Sequence, residues 1–296
     1  MPYRMLKPFA ALLGLLAVVT TAPLEMPQTL AEEADALRVM TYNLRYASDT
    51  PPNSWAVRLP VAISMLGNTD PDVIGIQEGL YRQVKDLDRM LVGYDWIGTG
   101  RNGGSHSEFN PIFFQRERLE PLEFEHFWLS DTPDVVGSTS WGNTNIRIVT
   151  WVRFRDRQSG REFYAINTHL DHQIPDAREK SAQLILKRIA KLDQSLPMIL
   201  LGDFNALADS SNVYEILVAD NRFSDTWHTE DRRGDTFATF HGYQPVKNGR
   251  RIDWILTRGP MRTLSNEVVT FSQKGQYPSD HFPVMADVLL TDPLHE

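Results

Sequence analysis

The sequence predicts an α/β (α+β) fold, with two mixed β-sheets packed face to face and helices outside. Three observations lead there. Short β-branched or aromatic runs alternate with helical ones from about residue 37 onward. No internal repeat or low-complexity linker interrupts them. The 296-residue chain is 42% hydrophobic and 23% charged, a balance that supports a large buried core.

The first residues are set aside before the elements are taken in order. Arg4 and Lys7 precede an apolar run, "PFAALLGLLAVV", followed by small residues and "TLAEEADA", which is the pattern of a secretory signal. The run falls short of the roughly 20 apolar residues that span a bilayer. Cleavage near Ala31 is therefore expected, leaving a secreted or periplasmic protein with no stable membrane insertion; a short retained anchor is the competing account. Residues 37–296 read as one domain. "LRVMTYNL" reads as a strand, "PVAISMLGN" as the end of a helix, "DVIGIQE" as a fully buried strand and "YRQVKDLDRML" as a helix with one apolar face. "DWIGTG" and "NPIFFQ" flank a glycine-rich loop, and strands follow at "LEFEHFWL", "RIVTWVRFRD" and "REFYAINTHL", the last two joined by the turn "RQSG". Next come a long helix, "PDAREKSAQLILKRIAKLD", with Pro175 tolerated in its first turn, the strand "PMILLGD" and a short helix near "SNVYEIL". A polar, basic loop runs to Arg251, and strands close the chain at "IDWILT" and "VMADVLL".

Charge and cysteine usage narrow the function. Losing residues 1–31 removes two positive charges and one negative, taking the formal net charge from −8 to −9. Such a surface does not draw in polyanions from a distance, so nucleic acid is a disfavoured but open partner. With no cysteine in the chain, thiolate catalysis and Cys-type zinc sites are excluded.

The polar residues of interest gather where buried strands end: "MTYN" at Asn43, "IGIQE" at Glu78, "INTHLDH" with His169, Asp171 and His172, "LLGDFNA" with Asp203 and Asn205, "RRIDWIL" with Asp253, and "YPSDHFPV" with Asp280 and His281. Carboxyl ends of strands are where α/β sheets form their crevices. Each instance alone has a plainer account. Asn43 suits a loop, Glu78 suits the cap of the next helix, and Asp203 with Asn205 suits an Asx-turn as well as a site. Phosphate-ester hydrolysis explains them as a set. Glu78, Asp280 and Asn43 supply oxygen ligands for a hard divalent cation, while Asn205, His169 and Arg147 supply donors for the ester's charge. His281 oriented by Asp253 is suited to activating a water. If the strand continues through "GDFNA", its period of two turns Asp203 and Asn205 to one side and Phe204 to the other.

The ordered set "MTYN", "IQE", "NTHL", "GDFNA", "RIDWIL", "SDHFPV" resembles the endonuclease/exonuclease/phosphatase superfamily, across essentially the whole of residues 37–296. The resemblance implies a four-layered α/β sandwich and Mg²⁺- or Mn²⁺-dependent hydrolysis of a phosphoester by in-line attack of water. It implies Glu78 as the metal-binding glutamate with Asn43 and Asp280 beside it, and Asp203 and Asn205 as the pair that orients water and phosphate. His281 with Asp253 is implied as the general base, and His169 as the second histidine, paired with Glu108. Arg147 resembles an arginine beside the phosphate; a strand arginine bridging surface carboxylates is the plainer account. Within the family the chain is most similar to a bacterial group sharing "NLRY", "RIVTW" and "NTHLDH". Asp171 and His172, with Trp128 and Trp141 near in sequence, are candidates for shaping a sugar- or polyol-like pocket, against core packing for the tryptophans.

The expected function is thus an exported metal-dependent phosphodiesterase or phosphomonoesterase acting on a small, glycan-linked or lipid-linked phosphate ester. The alternatives are an extracellular Mg²⁺-dependent nuclease, a glycosidase using two of the carboxylates, and a non-catalytic binding protein on the same scaffold. The sequence specifies no oligomeric state.

Overall fold

The computed structural model describes residues 35–292, so the expected signal segment lies outside the described residues. Alternation along the strands builds the layers. In β1 (Leu37–Asn43) Val39 faces one way into an apolar layer with Ile199 and Leu201, and Met40 faces the other way against helices. β1 lies between β15 (Val284–Leu290), antiparallel, and β2 (Val73–Gln77), parallel. The first sheet runs β12 (Arg232–Arg233), β14 (Met261–Val268), β15, β1, β2, β6 (Ile112–Gln115), β4 (Tyr94–Ile97). The second runs β11 (Ser224–Asp225), β13 (Asp253–Arg258), β10 (Met198–Asp203), β9 (Glu162–His169), β8 (Ile148–Asp156), β7 (Leu119–Trp128). A small ladder of β3 (Gly79–Leu80) and β5 (Glu108–Phe109) stands beside them.

Three apolar layers hold the stack. Helices α1 (Trp55–Thr69) and α2 (Tyr81–Met90) put Ala62, Met65, Val84 and Leu87 onto Met40, Ile74 and Ile76 of the first sheet. Val39, Val73 and Val284 meet Phe163, Ala165, Ile199 and Leu201 between the sheets. Helices α3 (Pro175–Ile189) and α4 (Asn212–Val218) cover the second sheet, with Ala182, Ile185 and Leu217 against Ile166 and Leu200. The result is the expected four-layered α/β sandwich. Among the described residues no helix is long and apolar enough to cross a membrane.

Besides the two-residue strands β3, β5, β11 and β12, one longer strand, β14, has no counterpart in the sequence pattern. Its residues "MRTLSNEV" do not alternate cleanly, because a register shift between Thr263 and Ser265 breaks the period of two. A polar tie also crosses the otherwise apolar space between the sheets. Gln77 Nε2 donates to Asn167 Oδ1 at 2.8 Å, and Asn167 Nδ2 donates to the carbonyls of Ile76 (2.7 Å) and Pro111 (2.9 Å). These groups lie near the carboxyl ends of β2 and β9 and fix the two sheets in register there.

Candidate active site

Strand register lines up the polar residues. Asp203, last in β10, is the direct partner of His169 on parallel β9 and of Asp253 on antiparallel β13. The three therefore form one row across the second sheet. Gly202 permits this close pairing, since any Cβ there would stand 2.1 Å from the Thr168 carbonyl oxygen. The first sheet contributes Asn43 at the end of β1 and Glu78 just after β2, the latter held at φ 59°. The loop before β15 brings Asp280 and His281. A cavity of about 490 Å³ is lined by Glu78, Glu108, Arg147, His169, His172, Asp203, Asn205, Asp280 and His281 together with Arg45, Tyr46, Arg101, Asn145, Phe240 and Ile252.

Within it His281 Nδ1 contacts Asp253 Oδ2 at 3.0 Å, and its Nε2 lies 3.9 Å from Asp203 Oδ2. Burial works against the His281 imidazolium, but the Asp253 charge and hydrogen bond, then Asp203 and Asp280, outweigh it and lift its pKa to about 10. Burial and then the Asp253 charge push Asp203 up to about 7. His169, 3.5 Å from Asp203, is held well below the usual histidine range by burial and next by Arg147, so it is neutral. Burial raises Asp280, with His281 and Arg45 opposing and Glu78 reinforcing the rise. Arg147 is 3% exposed and, among the described residues, forms no salt bridge with a carboxylate and leaves its Nε without a hydrogen-bond partner. One of its Nη groups lies 3.3 Å from His172 Nδ1.

Several expectations change. The strand stops at Asp203; Asn205 is left-handed at φ 49° and donates its backbone N–H to Asp203 Oδ1 at 2.9 Å. The two side chains thus share the cavity through an Asx-turn rather than through a pleat, while Phe204 stacks on Trp254 with centroids 4.3 Å apart. Glu108 is not paired with His169: Arg101 takes both of its oxygens at 2.8 and 3.0 Å. Asn43 does not line the cavity. Its amide nitrogen bridges Asp203 (2.9 Å) and Glu78 (3.2 Å), and its oxygen accepts from the Arg45 backbone. Asp171 is fully buried with both oxygens committed, one to Thr144 and the other to the backbone N–H groups of Gln173 and Ile174, so it organises the entry to α3 instead of a pocket. Trp128 is buried and donates to the Arg101 carbonyl, and Trp141 packs against the core beside α3, so neither lines the cavity. The aromatic groups that do line it are Tyr46 and Phe240, the latter tilted against His281 at 5.0 Å. Arg45 and Tyr46 were legible only as part of "NLRY", and Phe240 lies in an irregular loop with no pattern to announce it.

The donors suit a hard divalent cation. Glu78 and Asp280 both line the cavity, and the Glu78 charge adds to the cost of ionising Asp280, which a bound cation would relieve. Asp203, Asp253 and His281 also lie within 4.8 Å of one another, although Asp253 already holds the His281 ring. A further group, Asp209, Asp225 and His228, does not line the cavity and is bridged by Arg251.

A phosphate-ester hydrolase site on a four-layered sandwich is the class these features define. A model of the Endonuclease/Exonuclease/phosphatase family matches residues 40–281, and the chain belongs to that family, whose members hydrolyse phosphate esters. It is similar to an endonuclease/exonuclease/phosphatase of Bacteroides vulgatus, with 33% identity and a TM-score of 0.82 over 86% of this chain and 99% of the other. A mannosyl-6-phosphatase of Bacteroides thetaiotaomicron is 32% identical with a TM-score of 0.80, over 86% of this chain and all (100%) of that one. An uncharacterized protein of Acanthamoeba polyphaga mimivirus is 30% identical over 195 residues, 60% of this chain and 69% of its own.

Proposed function

We propose that the protein is an exported, Mg²⁺- or Mn²⁺-dependent phosphoesterase that removes phosphate from a sugar- or polyol-type monoester. The observation that carries this is Arg147, a buried cation without a carboxylate partner, facing the same cavity as His169, Asp203 and His281. Export is supported by the leader pattern of residues 1–31, and the sugar-type ester by the likeness to the Bacteroides thetaiotaomicron mannosyl-6-phosphatase.

Glu78 and Asp280 would hold the cation, which, when bound, supplies Lewis-acid polarisation of the phosphoryl group. Arg147 and Asn205 donate to the nonbridging oxygens, where charge accumulates as the ester bond breaks. His169, neutral in this setting, adds a further N–H. Two groups stand at the cavity to take the proton of the attacking water, Asp203 and the His281 ring that Asp253 holds. Burial and the Asp253 charge raise Asp203, and Asp253 with Asp203 raises His281, so the two titrate as a pair. Whichever of them carries the proton faces the phosphoryl group as a donor. His172, at the cavity wall and in contact with Arg147, is placed for the leaving-group hydroxyls.

The test is phosphate release by the purified protein from mannose 6-phosphate, p-nitrophenyl phosphate and bis-p-nitrophenyl phosphate, with and without EDTA, beside a plasmid-nicking assay. The proposal expects monoester turnover that EDTA abolishes and magnesium restores. Activity that survives EDTA, or plasmid nicking without monoester turnover, would overturn it.

A further inference from the structure

Arg58 lies in the first turn of α1 and is fully buried (0% exposed). Neither circumstance favours a cation: the first turn already carries the positive end of the helix dipole, and burying an ion is costly unless it is paired. Among the described residues no carboxylate bonds to it. Its guanidinium lies over the Trp55 ring at 5.3 Å, and its hydrogen bonds all go to backbone carbonyls: Nε donates to Asn53 (3.0 Å), Nη1 to Leu44 and to Pro278 (3.0 Å), and Nη2 to Arg45 (3.0 Å) and Tyr46 (3.2 Å). A guanidinium has five N–H donors, and five carbonyls take them.

The carbonyls belong to two loops, and both carry the cavity wall. The loop after β1 holds Arg45 and Tyr46, and the Tyr46 backbone N–H grips Glu78 Oε2 at 3.0 Å. The loop before β15 runs from Pro278 into Ser279, Asp280 and His281, and Ser279 Oγ adds a parallel strap to the Asn43 carbonyl at 2.7 Å. Glu78 and Asp280 therefore owe their spacing to loops fastened to each other by Ser279 Oγ, by the Gln276 amide on Asn53 Oδ1 (3.0 Å), by Arg45 Nε 3.5 Å from Asp280 Oδ2, and by Arg58, which of these takes the most carbonyls. We infer that Arg58 is a positioning residue, whose planar guanidinium joins the loop after β1 to the loop before β15 and so sets the distance between Glu78 and Asp280. This rests on the reading of those two carboxylates as the cation's holders. A lysine cannot substitute, because three donors on a single nitrogen cannot reach five carbonyls in a plane.

The experiment compares wild type with Arg58→Lys and Arg58→Gln, with Ile185→Ala on α3 as a destabilised control remote from both loops. Mn²⁺ affinity is measured by calorimetry on the substrate-free protein, alongside kcat, KM and Tm. The expected result is a roughly 10- to 100-fold loss in Mn²⁺ affinity and kcat in both Arg58 variants, the usual consequence of removing an outer support of a metal site. KM should change far less, and Ile185→Ala should lower Tm without moving affinity or kcat. Wild-type affinity and kcat in Arg58→Lys would overturn the inference. So would equal losses in Ile185→Ala, or failure of both Arg58 variants to fold, since either assigns the residue to stability alone. A wild type that neither binds Mn²⁺ nor turns over a phosphate ester removes the underlying reading as well, and is told apart because every variant then matches it.

Discussion

The two ends of the sandwich treat buried charge in opposite ways. At the amino ends of β1 and β2, Arg118 bonds Asp72 at 2.8 Å and Asp156 at 3.3 Å and donates to the carbonyls of Asp35 and Ala36. At the carboxyl ends, Arg147 is more deeply buried yet has no salt bridge to a carboxylate among the described residues, and Asp203 stands between the Asp253 carboxylate, the Asn43 amide and the His281 ring at 3.9 Å. One end is electrically complete without a ligand. The other is left unbalanced, and the imbalance marks where an anion and its metal belong.

Substitutions at the two ends should separate stability from turnover. The largest effect is expected for Asp203→Ala, with a loss in kcat on the order of 10³-fold and an unchanged circular dichroism spectrum, because proton acceptors act on the transition state. Turnover near wild type would remove Asp203 from the mechanism. Arg147→Met should cost about 10²-fold in kcat/KM while leaving Tm level or raised, since a buried cation with no carboxylate partner is replaced by an apolar group. A falling Tm with activity spared would mean that Arg147 is an ordinary structural cation.

Arg118→Met is the mirror case. It strands Asp72, whose carboxyl burial already raises despite Arg118, and should cost ~3 kcal/mol in urea unfolding with kcat per folded molecule unchanged. If turnover fell in step with stability, the contrast between the ends would fail. The smallest effect concerns His126, on the sheet edge away from the cavity, whose pKa burial lowers to about 4. The folded state disfavours its charged form, so its contribution to stability is complete above the unfolded value near 6.5 and is lost as pH falls toward 4. His126→Gln should therefore lose less stability than wild type between pH 7 and pH 4; parallel urea-midpoint curves would dismiss the histidine as a contributor.

The layers were legible because β1, β2, β9 and β10 are buried on both faces and read as near-continuous apolar runs, and because each ends in a polar residue that burial alone does not explain. What escaped was pairing. Nothing in "HLDH" distinguishes His172, which reaches the cavity wall, from Asp171, which folds back onto the chain. Nothing in "RNGGSHSE" says that Glu108 will be claimed by Arg101, seven residues away across a turn, before His169 can reach it. Arg58 was invisible for a related reason: its partners are carbonyls, and every residue has one.

The polar tie between Gln77 and Asn167 has a consequence for how function arises. Glu78 and Asp280 flank strands of the first sheet, whereas His169, Asp203 and Asp253 belong to the second, so neither sheet alone holds a working set. A working site thus exists only where the two halves are docked with Gln77 against Asn167, so loosening that tie would part the carboxylates of one sheet from the histidine and aspartates of the other.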